Sequence, residues 1–433
     1  MTESRVRSAL WATMVVFGLN GLAFASWAAR IPAASSALNI TDGQTGLLLI
    51  MGAIASIITL PLAGSVAARV GTANTVRLGA IICGVGALVM ALGLSIGIFA
   101  VTGIGLFIFG MGIALWDVAQ NIEGAEVERL ARKTYMPKMH AAFSGGAVVG
   151  ALIGWLLTRL NISLSTHLIG LAIAEVAIIL WATAKFLPVA TPQTHDGDAH
   201  LGEPGGGEVR GQAGDAPSNI SRFAAWREPR ILAIGFMVLG AAITEGAAND
   251  WIAKATVTGL DQTEAVGAIM FAVFVGAMTL FRYVGGAVVD RFGRAPALYA
   301  SFAVALVGLV IFVFSPWLWL AMAGAALWGF GAALGFPVGM SAAADDPKRA
   351  AARVSVIATI GYIAFLAGPP LLGFLGDHWG IRNALLVIAV PMLLSMLLVR
   401  PAIPAHSQAP GAAGPAGSDG EPRRPETGPL SLP

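Results

Sequence analysis

Charged side chains make up only 12% of the 433 residues, whereas about 25% is usual for a soluble domain. This shortage excludes an ordinary soluble protein. Hydrophobic residues make up 56% of the chain and fall in repeated apolar runs. Because runs of about 20 apolar residues are typical of membrane-spanning helices, we predict an all-α integral membrane protein.

Cysteine and the common catalytic motifs are also scarce. Cys83 is the single cysteine and lies in an apolar run, so no disulfide can form within the chain and plain packing is its expected role. The sequence has no Walker loop, no zinc-ligand spacing and no serine in a nucleophile elbow. We therefore expect no enzymatic activity, no cofactor and no metal site.

The apolar runs predict twelve spans, which we number in chain order. Their approximate limits are 10–30, 44–67, 76–94, 98–121, 138–158, 166–186, 230–252, 264–289, 296–314, 318–341, 354–376 and 382–399. The first run follows Arg5 and Arg7 and contains Ala23-Phe24-Ala25, as a cleaved secretory signal would. Because many spans follow, we favour an uncleaved first span.

Basic residues give the expected orientation. With both termini in the cytoplasm, the outer side receives only Arg30, Arg159, Lys254 and Arg382, and the remaining loop arginines and lysines face the cytoplasm. This distribution follows the positive-inside rule. We predict a multi-pass protein of the inner (plasma) membrane.

A polar, glycine-rich stretch divides the chain. We expect a six-helix half over residues 1–187 and a second one over 229–400. Between them, residues 188–228 are predicted to be a mostly disordered cytoplasmic linker with a short surface helix near 221–228. Residues 401–433 are expected to be a disordered cytoplasmic tail.

The two halves repeat each other. Residues 64–71 (GSVAARVG) match 286–293 (GAVVDRFG), and residues 110–115 (GMGIAL) match 329–334 (GFGAAL). In span 5, Gly146, Gly150 and Gly154 form a stripe suited to close helix packing. Two pseudo-symmetric parallel repeats around a linker are a transporter architecture, with the solute site between the halves near the membrane midplane.

The loop between spans 8 and 9 carries the pattern Gly286-xxx-Asp290-Arg291-x-Gly293-Arg294. This pattern resembles the loop signature of the major facilitator superfamily. The resemblance implies the major facilitator fold over essentially the whole membrane part. In that family the acidic residue of the signature helps to hold the cytoplasmic side closed, and the first-half copy has Ala68 in its place.

Further motifs are FASWAARIP at 24–32, DVAQN at 117–121, HAAFSGG at 140–146, EGAANDW at 245–251, and GY at 361–362 with GPP at 368–370. They resemble a bacterial inner-membrane branch of the superfamily. That branch is related to the fucose permeases and includes a rhizopine-transport-like membrane protein. The resemblance implies proton-coupled transport of a small polar solute and does not name the solute.

Polar residues inside the spans are candidate solute ligands, because ionisable groups in a membrane usually face a cavity. Asp117 and Asn121 share one face of span 4. Trp27 and Trp251 lie beside polar residues and suit stacking on a sugar ring, or else anchor helix ends. His140 either titrates near neutrality or is a structural histidine at a helix start. The candidate ligands are Asn20, Trp27, Arg30, Asp117, Asn121, His140, Phe143, Asn249 and Trp251.

Glu245 is the first candidate for proton coupling. It lies deep in span 7 without an evident partner in the sequence, and a carboxyl group away from water suits proton binding and release near neutral pH. The alternative is a carboxyl group held neutral by structural hydrogen bonds. Asp117 is the second candidate; its predicted place, about one turn from the cytoplasmic end of span 4, also fits an inner gate.

Other charges are predicted to form gates. Arg30 and Asp250 lie at similar predicted depth near the outer ends of spans 1 and 7, and we expect them to pair when the outside closes; the alternative is a snorkelling arginine without a partner. On the cytoplasmic side, the repeat predicts that Arg291 or Arg294 meets Asp345 or Asp346.

The same symmetry predicts that Arg69 meets Glu123 or Glu126. Arg282 is expected to lie toward the cytoplasm, near Asp290 and out of reach of Glu245.

The sequence thus predicts a secondary active transporter that works by alternating access. Its expected partners are a small sugar-like or organic acid solute, protons and the lipid bilayer, with no nucleic acid, and the expected state is a monomer. Two alternatives stay open, namely efflux of a drug-like solute by proton antiport and a membrane sensor that does not transport.

Overall fold

The computed structural model describes residues 2–133, 135–187, 225–346 and 349–403. Twelve helices in these ranges are long and apolar enough to cross a membrane. They are Glu3–Ala28, Asp42–Val70, Thr72–Ile96, Phe99–Ala131, Met136–Arg159, Leu164–Thr183, Pro229–Gly259, Glu264–Phe292, Arg294–Phe314, Leu318–Ala343, Ala352–Trp379 and Ile381–Ala402. The predicted all-α membrane fold with twelve spans is confirmed.

Several spans have internal detail. A short helix, Ile31–Leu38, follows span 1. Span 10 is broken into Leu318–Ala332 and Gly335–Ala343, and the helix of span 11 begins at Ala350. Span 12 contains a 3-10 turn, Leu385–Ile388, before its main helix Ala389–Ala402.

The predicted linker and tail lie almost wholly outside the described residues. Of the expected surface helix, the structure describes a single 3-10 turn, Ala225–Arg227.

Spans 4 and 7 continue well past their predicted ends. Span 4 has 33 residues and ends at Ala131; span 7 has 31 residues and ends at Gly259. Alanine, glutamate, arginine and leucine, which favour helix, carry span 4 onward after its apolar part. Asp117 therefore lies roughly four turns before the helix end, and the prediction that it lies one turn away is wrong.

Glycines set the closest helix contacts. A Cβ atom at Gly146 of span 5 would lie 1.8 Å from the carbonyl oxygen of Gly18 in span 1. A Cβ atom at Gly150 would lie 2.5 Å from the carbonyl oxygen of Leu22. The glycine stripe of span 5 thus brings its backbone against span 1, as small residues do in membrane bundles.

The two sets of six spans meet closely at one end of the bundle. A Cβ atom at Gly46 of span 2 would lie 2.4 Å from the carbonyl oxygen of Pro369 in span 11. Nearby, Thr41 Oγ1 donates a 3.0 Å hydrogen bond to Asp377 Oδ2. We call this end, formed by residues 35–46, 254 and 369–377, the closed end. It is the end that the basic residues predict to face outside.

The opposite end is open between the two sets of spans. Tyr283 and Phe292 of span 8 are 81% and 60% exposed there, and Val70 of span 2 is 45% exposed. Among the described residues, no hydrogen bond or ion pair joins spans 1–6 to spans 7–12 at this end. We call this end, where no such contact joins the two sets of described spans, the open end.

Candidate functional site

The candidate site begins at the break in span 10. Pro337 has no backbone N–H, so the carbonyl of Ala333, four residues earlier, cannot receive a helical hydrogen bond from it. The helix stops at Ala332 and starts again at Gly335. Broken helices with free carbonyl groups recur at the solute and ion sites of transporters.

The guanidinium group of Arg282, in span 8, fills this break. Its Nε donates to the carbonyl oxygen of Ala333 at 3.4 Å. Its Nη2 donates to Oε2 of Glu245, in span 7, at 2.7 Å. The Arg282 side chain is 34% exposed and that of Glu245 is 19% exposed. One arginine thus joins spans 7, 8 and 10 and stays within reach of solvent.

This pair corrects two predictions. Glu245 was expected to have no partner and Arg282 to lie out of its reach, and both expectations are wrong. Because span 7 continues to Gly259, Glu245 lies near the centre of its helix, and Arg282 lies near the centre of span 8. The length of the arginine side chain bridges the remaining gap.

Two further polar side chains lie close to this pair. Asn249 is one turn from Glu245 on the same face of span 7, and none of the described residues forms a hydrogen bond with its Oδ1. His140 of span 5 interacts electrostatically with Arg282 across the space between the halves. The histidine ring lies 5.3 Å from the ring of Phe17, and its Nδ1 lies 3.2 Å from the carbonyl oxygen of Met136. Residues 140, 245, 249 and 282 form what we call the central polar cluster.

Asp117 and Asn121 form a second polar face, on span 4. Gln120 Nε2 donates to Asp117 Oδ1 at 2.9 Å, and Asn121 Nδ2 donates to the carbonyl oxygen of Asp117 at 2.8 Å. Trp116 packs on Gly79 of span 3, so the half-buried Asp117 and Asn121 point away from that helix. The predicted shared face is confirmed.

Other predicted ligands are enclosed in the helix packing. Asn20, Trp27 and Trp251 are 1%, 5% and 0% exposed. Asn20 Nδ2 and Trp251 Nε1 have no hydrogen-bond partner in the part of the chain that the structure describes. Phe143 is half-buried, and its carbonyl group packs against Gly21 of span 1. In this conformation Asn20, Trp27 and Trp251 therefore offer almost no surface to a solute.

Arg30 and Asp250 were predicted to pair when the outer end closes, and this prediction is wrong, because they do not pair in this closed conformation. Arg30 donates from Nη1 and Nη2 to the carbonyl oxygen of Ile162, at 3.1 Å each. Asp250 forms no ion pair or hydrogen bond with the described residues. Since span 7 runs on to Gly259, Asp250 lies roughly two turns inside its helix end, whereas Arg30 lies beyond the end of span 1.

Lys254 bridges the halves instead. Its Nζ lies 2.8 Å from Asp42 Oδ1 and donates to Ser35 Oγ at 2.6 Å and Thr45 Oγ1 at 2.8 Å. The lysine is only 4% exposed, and all three acceptors belong to the first half. This contact was not predicted, because the apolar run of span 7 ends near residue 252 and Lys254 was therefore expected in an outer loop.

One predicted contact at the open end is confirmed. Arg294 Nη1 lies 2.7 Å from Asp345 Oδ1, and Arg230 Nη2 lies 3.0 Å from Asp345 Oδ2. Asp290 and Arg291 of the loop signature are exposed. At this end of the second half Asp345 thus binds two arginines, and Glu228 binds Arg353 at 2.7 Å.

The predicted contact of Arg69 is wrong. Glu123 accepts hydrogen bonds from Thr72 Oγ1 at 2.6 Å and from the backbone N–H of Leu187 at 2.8 Å. Glu126 pairs with Arg129 at 2.5 Å. Both carboxylates thus bind partners other than the exposed Arg69.

Twelve spans in two repeats, a broken helix and a charged cluster between the halves define a multi-pass membrane protein of transporter architecture. The family model described as Major Facilitator Superfamily matches residues 231–430. The chain is similar to this family over most of its second half, and the relatives and solved structures below extend the similarity to most of its length.

Two relatives extend the match to most of the chain. An uncharacterized MFS-type transporter of Yersinia pestis is 29% identical over 383 residues, which cover 88% of this chain and 92% of that protein. Membrane protein MosC of Rhizobium meliloti is 24% identical over 386 residues, covering 88% and 86%.

Solved structures share the fold. The nucleoside transporter NupG has a TM-score of 0.68 and 15% identity, over 91% of this chain and 98% of its own. The fucose:proton symporter FucP of E. coli has a TM-score of 0.55 and 17% identity, over 90% and 98%.

Proposed function

We propose that the chain is a proton-coupled secondary transporter that moves a small polar solute across the inner membrane by alternating access, with both termini in the cytoplasm. The observation that carries this proposal is the Arg282–Glu245 pair at the break in span 10. It is a charged pair near the middle of two spans, reachable from the open end. In a membrane such a pair is a functional site by default, because the charges are costly to keep there.

The chemistry of the central polar cluster favours a sugar-like solute or an organic acid. Arg282 offers a forked donor suited to a carboxylate or to paired hydroxyl groups. Asn249 Oδ1, which has no hydrogen-bond partner among the described residues, is an acceptor for a hydroxyl group. Trp27, Trp116 and Trp251 are buried in the helix packing, so this conformation offers a drug-like solute no aromatic surface from them. This arrangement argues against the efflux alternative.

Competition for Arg282 supplies a coupling step. A solute that binds the guanidinium group draws it away from Glu245, whose freed carboxylate then binds one proton. When the solute leaves, Glu245 releases that proton and pairs with Arg282 again. Solute and proton thus bind together and leave together, which is symport. Asp117, on the second polar face, is the other proton-coupling candidate.

The test is solute flux in proteoliposomes under an imposed pH gradient, with sugars, polyols and organic acids preselected by thermal shift. We expect the gradient to drive accumulation of one class. Glu245→Gln should keep solute exchange between the two sides and lose accumulation driven by the gradient.

The alternatives give other results. Flux of drug-like solutes alone, against the proton gradient, would support efflux. Solute binding without flux of any compound would support a sensor. Full proton dependence in Glu245→Gln would remove Glu245 from the coupling step.

A further inference from the structure

Lys254 pairs with a carboxylate of the first half and has a second carboxylate, Asp250, one turn away on its own helix. In the present conformation its Nζ binds Asp42 Oδ1, Ser35 Oγ and Thr45 Oγ1, all in the first half. Asp250 lies four residues earlier on span 7, so both side chains share one helix face. Asp250 is half-buried and makes no ion pair or hydrogen bond with the described residues.

Alternating access requires this end to open. When it opens, Asp42, Ser35 and Thr45 move away with the first half, and the ammonium group loses the acceptors of all its hydrogens. A buried ammonium group without a partner is costly. Asp250 is the carboxylate nearest along the helix that carries Lys254. An acidic residue four positions before a lysine is the favourable order for an ion pair within a helix.

The other charge that faces Lys254 does not replace Asp250. Asp377 of span 11 acts on Lys254 electrostatically. However, its carboxylate is exposed and accepts a hydrogen bond from Thr41 of the first half. That contact also breaks when the closed end opens. Among the described residues, Asp42 and Asp377 are the carboxylates that act on Lys254 from other helices, and no charged group of another element acts on Asp250.

We propose that Asp250 is a second proton-binding residue of the transport cycle, and that Lys254 links it to the closed end by exchanging Asp42 for Asp250. On opening, the Asp250 carboxyl group releases one proton and its carboxylate pairs with Lys254. On closing, one proton binds the Asp250 carboxylate and frees Lys254 for Asp42. The proposal rests on alternating access as the proposed function. It means that the closed end can open only when Asp250 releases its proton.

The test measures the closed end directly and needs no solute. Spin labels at the exposed positions 37 and 383, introduced as Ala37→Cys and Asn383→Cys with Cys83→Ala, report the distance between the halves in lipid nanodiscs. We expect the ratio of long to short distances to rise with pH by up to about tenfold per pH unit, the limit for one proton.

Three variants separate the roles. Asp250→Asn, which resembles the protonated acid, should give short distances at every pH. Asp42→Asn removes the charged acceptor of Lys254 in the first half and should give long distances over the same range. Asp261→Asn changes an exposed acid just past span 7 and should keep the wild-type response.

Asp250→Glu keeps a titratable group and should retain the pH response. This variant tests the proposal even if Asp250→Asn misfolds. An unchanged pH response in Asp250→Asn, or a flat response in the wild-type background, would overturn the proposal. The distance measurement uses no solute, so it stays valid even if no transported compound is found. If solute flux were normal but the distances did not change with pH, the exchange of Asp42 for Asp250 would be rejected and the proposed transport function would stand.

Discussion

Arg282 Nη2 donates a 2.7 Å hydrogen bond to Oε2 of Glu245 while its Nε faces the carbonyl group that Pro337 leaves free. The guanidinium group therefore has two acceptors from two helices, and neither belongs to its own span. If span 7 moves relative to span 10, one of these two bonds must break. The position of Arg282 therefore depends on how spans 7 and 10 are arranged.

Removing either charge of this pair should destabilise the protein more than removing both. Glu245→Gln and Arg282→Gln each leave a partner unpaired in a partly desolvated place, and we expect the thermal stability in detergent to fall by about 1–3 kcal/mol. The double variant should recover part of this stability, because no charge stays unpaired, and should not recover uptake, because the proposed solute and proton ligands are both absent. Arg291→Gln, at an exposed position, is the control. A double variant less stable than both single ones would count against the pair as a unit.

Pro337→Ala should repair the break in span 10. Alanine supplies a backbone N–H for the carbonyl of Ala333, which then competes with Arg282. We expect higher thermal stability in detergent, by about 1–3 kcal/mol, and slower transport. Pro61→Ala, which removes a proline inside span 2, is the matched control for helix repair elsewhere. Unchanged transport in Pro337→Ala would separate the break from the function of the site.

Two adjacent glycines in span 5 should differ sharply. A Cβ atom at Gly146 would overlap the backbone of Gly18, whereas one at Gly145 meets no atom within 4 Å. Gly146→Ala should therefore lower the thermal stability by at least about 1–3 kcal/mol, and Gly145→Ala should not. Thermal unfolding of both purified variants measures this difference. Equal stabilities would show that the two spans separate at little cost.

Asp345 should stabilise the open end more than the loop-signature acid does. Asp345 pairs with both Arg230 and Arg294, whereas Asp290 is exposed. We expect Asp345→Asn to lower the stability by about 1 kcal/mol, a small value because these partly exposed pairs are screened by solvent. Asp290→Asn should lie within experimental error in the same measurement at low salt. A larger loss in Asp290→Asn would reverse this ranking.

Asp117→Asn distinguishes a solute ligand from a gate. Asparagine keeps the size of the side chain and an acceptor for Gln120 and removes the charge. We expect the apparent solute affinity to fall by about tenfold, or 1.4 kcal/mol, with solute binding measured separately from turnover. A change in turnover alone would assign Asp117 to the gate. Glu126→Gln, on the same helix and paired with Arg129, controls for loss of an acid.

The apolar runs were sufficient to predict the number of spans, because hydrophobic length depends on local composition. The resemblance to the superfamily came from the loop motif at residues 286–294. Contacts that depend on where helices end were not predictable in the same way. Lys254 looked like the edge of span 7, but the helix continues to Gly259. The lysine is buried by Ser35, which is 219 residues away in the chain.

Dependence on helix ends also explains why one charged contact was predicted and another was not. The Arg294–Asp345 contact joins neighbouring loops of one repeat, so repeat symmetry was enough to predict it. The Arg282–Glu245 contact depends on the break at Pro337 and on the true centre of span 7. The residues 335–337 (GFP) carried the signal for that break, since glycine followed closely by proline is unfavourable inside a helix.

Because the two halves are packed closely together at the closed end, the membrane voltage is not spread evenly across the protein. Water entering from the open end carries the potential of that side as far as the partly exposed Arg282 and Glu245. Most of the voltage then drops across the packed layer that holds Lys254, Asp42 and Asp250. A unit charge that crosses this layer gains or loses about 2.3 kcal/mol per 100 mV. The closed end is therefore the voltage-sensitive part of the molecule, and proton transfer to Asp250 would generate a current.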